Sequence, residues 1–316
     1  MNALKAQQNM TSPEQRHKLA VDAANDVFSC RCRKAECEIG KLVSFRDHLA
    51  YLFNALAECE QEMLLPAFSA QDGSVHTWHA VGYAIQMAAA LEDVSANTAY
   101  IDTSMSWMMC GAAADFDDAH SRVAAQYFAA AITFNFIWNA YEAAIRVAAT
   151  TNFLSDKTAV RGRKLAALIY ANGKDIPVLP KLTRGAERYC RSGGGLDSQL
   201  KNFTIASRGA EAAADLARIL RNHIAHGCDE VPLPSTWGPE AEAAEYVQIY
   251  RMYAVSRCVL MLIQLFAIHS LSNPKAKIHQ SWLEDDGKRS AVDILTNLHL
   301  REKPSKTARR MKDDRD

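Results

Sequence analysis

In the second half of the chain stands the run Arg221-Asn222-His223-Ile224-Ala225-His226-Gly227. It sets a permanently charged guanidinium, an amide and two imidazoles beside one another. Arginine holds phosphate through a planar fork, and histidine exchanges protons near neutrality. Those are the groups that cleavage of an RNA phosphodiester without a metal requires. One moves protons between the 2′-oxygen and the departing 5′-oxygen, and one offsets the charge gathering on phosphorus.

Spacing constrains how they could cooperate. At roughly 100° per residue, Asn222 and His226 share a helical face, about 40° apart, whereas Arg221 and His226 stand about 140° apart. One unbroken helix therefore does not aim Arg221 and His226 at one phosphate. Either the helix loosens before Gly227, or a second copy of the chain supplies the missing group across a twofold axis. The second arrangement is the expected one. His223 falls on the side of Leu216, Ile219 and Leu220 and reads as a core or interface histidine.

The elements that must hold this run are helical. A helix over 204–226 carries Ile205, Gly209, Ala212, Leu216, Ile219, Leu220 and Ile224 on one side, and Gly227 is placed to end it. The Pro-rich stretch 228–239 cannot be helical, and a long apolar helix is expected over 240–271. Upstream, Val123, Tyr127, Ala130, Phe134, Trp138, Tyr141, Ile145 and Ala148 repeat at helical spacing, with Asp115 or Asp117 as the cap. One or two helices over 13–65, short ones over 78–91, 96–110, 158–171 and 181–191, and one or two small ones over 275–299 complete the expectation.

With these elements in place, the run resembles the signature of the HEPN superfamily. Its hallmark is Arg-x(4–6)-His near the end of one helix, commonly with Asn, Asp or His after the Arg, followed by a loop and a long apolar helix. Arg221, Asn222 and His226 match it, and the helix with Phe136, Trp138, Tyr141 and Glu142 is similar to the aromatic and acidic helix many members place before the motif. The resemblance covers roughly 118–271. It implies an all-α, HEPN-like helical bundle and a dimer that joins two motifs. It often implies metal-independent endoribonuclease activity, commonly in toxin–antitoxin, abortive-infection or other antiphage systems. By that resemblance Arg221 polarises the scissile phosphate, His226 is the general acid or base, and Asn222 orients one of them. It admits an antitoxin or regulatory protein as a further partner. Members silenced by a nucleotidyltransferase often carry Tyr two residues after the motif His, where this chain has Cys228. Other members are non-catalytic nucleotide- or RNA-binding or dimerisation modules, which is the alternative reading.

Composition agrees with this class. The 316 residues are 49% hydrophobic with only 14 Gly and 9 Pro, too few for a many-turned β protein. The 36 basic and 36 acidic residues cancel overall. Yet residues 1–156 hold 10 basic and 18 acidic side chains, while 157–316 hold the other 26 and 18. A polyanion should therefore meet the second half, unless the halves simply attract each other. Within it, the basic stretch 157–208 is expected to guide RNA, with Arg188, Arg191, Lys201, Arg208 and Arg218 as the backbone contacts. The domain reading is an N-terminal helical extension over 1–70, a HEPN-like domain over 71–300 and a disordered basic tail over 301–316.

Several alternatives are weaker. Cys30, Cys32 and Cys37 with His76 and His79 offer zinc-ligand chemistry, but the cysteines lie within an expected helix and lack paired CxxC spacing. No metal and no cofactor is expected. The triple glycine at 193–195 follows no strand and is not a phosphate loop. The aromatic residues of 134–141 and 246–253 recur at helical spacing and read as core. The most apolar run, 258–268, is far short of the roughly 20 residues that span a bilayer. No export signal is seen, and eight cysteines fit a reducing, cytoplasmic setting.

Overall fold

The computed structural model describes residues 28, 37–70, 72–92, 94–101, 110–149, 156–192, 195–201, 203, 209–227, 229–235, 246–279 and 287–301. The protein is all-α. Among the described residues its helices are α1 (Phe45–Gln61), α2 (Trp78–Ala90), α3 (Gly111–Ala148), α4 (Thr158–Ala171), α5 (Leu179–Ser192), the single turn α6 (Asp197–Leu200), α7 (Ala210–Ala225), α8 (Val247–Ser270) and α9 (Ala291–Asn297).

The centre of the core is α8. From Ile249 to Ile268 all but Tyr250 are buried, because α3, α5, α7, α1 and α9 surround it. A helix apolar on all sides can only be covered this way or by lipid. This is the one helix among the described residues long and apolar enough to cross a membrane, and 94% of its apolar window is buried inside the fold. The heaviest packing is of α3 on α8, with Tyr141 stacked on Phe266 at 5.7 Å. The segment 37–70 belongs to the same core as the rest. Leu42, Phe45, Leu49, Leu52 and Leu56 are buried in one cluster with α2, α3 and α8. The two ends of the described chain also meet, through a bridge between Leu42 and Leu300.

Some local expectations change. α3 starts at Gly111, with Cys110 rather than Asp115 or Asp117 at the cap position. The carbonyl of Asp117 instead accepts from Thr98 Oγ1. Within 96–110 the described part is a 3-10 turn, Thr98–Ile101, not a helix. The 275–299 region is not all helical. The antiparallel pair β3 (Lys277–Ile278) and β4 (Arg289–Ser290) precedes α9, whose N-cap Ser290 accepts from the Asp293 amide. A similar pair, β1 (Phe68–Ser69) with β2 (Val75–His76), follows α1 across a turn at Asp72-Gly73. Two-residue strands are too short to leave an alternating pattern in sequence. Residues 1–27, 204–208, 236–245 and 302–316, with their expected helices, loop and tail, lie outside the described residues.

Candidate functional site

The motif forms the last turn of α7. The helix begins at Gly209, whose φ of +46° lies in the region favouring glycine. A Cβ there would come within 2.5 Å of the Tyr170 ring, so α7 can start hard against α4. At the other end His226 is the C-cap, its backbone N–H donating to the Asn222 carbonyl at 3.0 Å. Gly227 then turns left-handed at φ +65° and donates to the Ile224 carbonyl.

Helical bonding thus continues through His226, so the helix does not loosen before Gly227. Arg221 and His226 keep their divergence of about 140° around the axis. His226 is exposed, Arg221 and Asn222 are half-buried, and His223 is 2% exposed. Among the described residues Arg221 has no ion-pair partner. The core placement expected for His223 is what the structure has.

Contacts between helices fix what else lies at this end of the bundle. Tyr189 packs edge-on to Tyr250, and Thr183 lies beside Cys258, so α5 runs antiparallel to α8. Tyr127 lies near Arg251 and Tyr141 on Phe266, so α3 runs parallel to α8. The C-terminal turns of α5 and α7, the N-terminal turns of α8 and the Tyr127 region of α3 therefore share one end. The basic C-terminal part of α5 stands at the same end as the motif.

Directly beneath the motif is a buried charged cluster. Asp229, two residues past Gly227, pairs with Arg251 of α8; their side chains are 3% and 1% exposed. The Tyr127 hydroxyl from α3 sits beside the same carboxylate, and His223 faces the pair. Burial pushes the Asp229 carboxyl up, partly offset by Arg251. Burial and then Asp229 push Tyr127 up to about 12. Burial and then Arg251 hold the His223 imidazole down, opposed by Asp229. Among the described residues, both ring nitrogens of His223 and Oδ2 of Asp229 are buried without a hydrogen-bond partner. Sequence reading missed Asp229, Arg251 and Tyr127. The one signal was a pair of arginines, Arg251 and Arg257, inside a helix otherwise apolar enough to be fully buried, where a charge demands a partner.

The expected RNA contacts divide. Arg188 and Lys201 are exposed. Arg191 donates to Glu187 and to the carbonyls of Leu200 and Phe203, tying the end of α5 to α6. Arg218 pairs with Asp215 at 2.8 Å, one turn back on α7. Arg208 and Cys228 lie outside the described residues.

Glu142 is remote from the motif. It accepts from Trp138 Nε1 at 3.0 Å and pairs with Arg146. It is fifteen residues beyond Tyr127 on α3, about 22 Å along the axis. Tyr141 and Phe134 are fully buried core, while Tyr246 and Tyr250 stack on one another, half-buried, at 5.4 Å. Cys30 and Cys32 lie outside the described residues, and among those described no group of three or more His, Cys, Asp or Glu could hold a metal. Burial pushes the Cys190 and Cys258 thiols up to about 12, which removes them as nucleophiles near neutrality.

The chain matches no family model, no curated protein sequence and no solved structure.

Proposed function

We propose that the chain is a HEPN-type, metal-independent endoribonuclease that acts as a homodimer in the cytoplasm, in a toxin or antiphage defence system. Arg221 of one copy and His226 of the other converge on one scissile phosphate, with Asn222 orienting the imidazole on its own helical face. The 2′-hydroxyl attacks phosphorus and the 5′-oxygen leaves. The products carry a 2′,3′-cyclic phosphate and a 5′-hydroxyl.

The supporting observation is the ending of α7. His226 is exposed at the end of the helix, and the half-buried Arg221 has no ion-pair partner among the described residues, so an imidazole and a guanidinium are both open to a phosphate. Helical bonding through His226 also argues for two copies over one unwound helix. The exposed Arg188 and Lys201, at or near the motif end, supply charge for the RNA backbone.

The test is induced expression of the wild type and of His226→Ala, with sequencing of RNA ends that bear 5′-hydroxyls. General acid–base catalysis contributes roughly 10²–10⁴-fold, so the substitution should remove nearly all such ends. Ends that persist in excess EDTA after both Arg221→Ala and His226→Ala exclude the site. RNA retention without turnover points to the non-catalytic binding module instead.

A further inference from the structure

The motif end holds an arrangement that stability alone does not explain. A buried ion pair is seldom worth more than apolar residues of the same volume, because removing two charges from water consumes most of their attraction. Here the pair is Asp229–Arg251, and it is only partly satisfied, with Oδ2 of Asp229 lacking a hydrogen-bond partner among the described residues. Its place in the chain is informative. Asp229 follows His226 by three residues, so their Cα atoms are at most about 11 Å apart. The segment between them begins with the left-handed Gly227.

We infer that Asp229 is a positioning residue for His226. The imidazole is carried on a short tether pinned at both ends. On one side the His226 amide donates to the Asn222 carbonyl. On the other, the Asp229 carboxylate is locked to Arg251 of α8, beside the Tyr127 hydroxyl of α3. The pair converts the packing of α3 and α8, the two most heavily packed helices, into a fixed location for one exposed side chain. A neutral amide in place of the carboxylate would leave Arg251 buried without its counter-charge and release the tether. Placement matters because a misplacement of about 1 Å at a reacting group can cost on the order of 10²-fold in rate.

This inference rests on the ribonuclease reading for its kinetic consequence, but its structural half is measured separately. The full chain is labelled with isotopic histidine, and the His226 ring resonances are compared in the wild type, Asp229→Asn, Asp229→Glu and the double variant Asp229→Leu with Arg251→Met. The double variant removes the lock while replacing the ion pair by apolar side chains, and so keeps a foldable comparison should Asp229→Asn not fold. Expected are shifted and broadened His226 signals in Asp229→Asn and in the double variant, with His76 and His269 unmoved. RNA cleavage should lose tenfold to a hundredfold in kcat with KM within twofold, and Asp229→Glu should recover part of both. A folded double variant whose His226 signals coincide with the wild type overturns the inference. A wild type that cleaves no RNA overturns the ribonuclease reading and leaves the resonance comparison to decide the tether.

Discussion

Well past the midpoint of α8, Gln264 Nε2 donates to the Leu295 carbonyl at 2.6 Å and lies 3.3 Å from His299 Nδ1, while its Oε1 accepts from His48 Nε2 at 2.9 Å. The other nitrogen of His299 reaches the Pro177 carbonyl at 3.0 Å. This cluster joins α8, α1, α9 and the loop before α5, its members are fully buried, and its imidazoles are held low by burial. At the start of the same helix, Arg251 meets Asp229, Tyr127 and a His223 with no hydrogen bond at either nitrogen. The first cluster is an uncharged staple, and among the described residues it lacks a partner only at His48 Nδ1. The second is charged, under-satisfied and set beneath the only exposed histidine of the motif. The difference separates polar groups that join elements through neutral hydrogen bonds from a charged pair whose burial carries a cost that cohesion alone does not offset.

Removing one partner from each cluster separates the two plans most sharply. Arg251→Ala leaves a buried carboxylate alone and is expected to cost about 3–5 kcal/mol in urea unfolding. Gln264→Leu strands a backbone carbonyl and two imidazoles in the other cluster, at about 1–3 kcal/mol for each unsatisfied group. Replacing both Asp229 and Arg251 by apolar residues should recover most of the first loss, whereas no single apolar residue repairs the second.

Acid probes the uncharged staple. Burial lowers His48 well below its usual range and His299 to about 4, with Arg257 lowering both as well. Between that value and the ordinary imidazole value of about 6.5, the unfolded chain binds more protons than the folded one. Stability is therefore full above about pH 6.5 and falls as pH drops toward 4, by roughly 3 kcal/mol from His299 alone. Urea midpoints measured across that range check this, and replacing His299 by Asn should flatten the slope.

Smaller effects refine the motif end. His223→Leu removes a buried polar ring with no hydrogen bond, and should be neutral or stabilising by about 1 kcal/mol in the same unfolding assay. His226→Ala should leave the midpoint within about 0.5 kcal/mol while abolishing cleavage. Arg188→Ala should weaken binding of single-stranded RNA evenly across sequences and reduce its log–log salt slope by about 0.7, read by titration at several salt concentrations.

Much of this was legible beforehand, for definable reasons. The apolar spacing from Ala212 to Ile224 and the stop at Gly227 located α7 and its exposed end, and Leu216, Ile219 and Leu220 correctly drew His223 into the core. Arg221, Asn222 and His226 were singled out by type and spacing alone, because the chemistry proposed for them is local to one turn. The supporting groups were not. Asp229 and Arg251 are 22 residues apart and meet only because α7 and α8 pack antiparallel, which no periodicity encodes. Arg191 read as an RNA contact although Glu187 stands four residues before it, and its other two partners, the Leu200 and Phe203 carbonyls, are backbone groups with no sequence signature.

The nearly complete enclosure of α8 has a bearing on how the protein is made. Every large helix that covers it precedes it in the chain, so a ribosome releases the walls before the pillar. Until Val247–Ser270 has emerged, the inner surfaces of α1, α3, α5 and α7 face solvent as an open trough. A nascent chain stalled before residue 247 should therefore behave as sticky, chaperone-bound material rather than as a smaller version of the same fold.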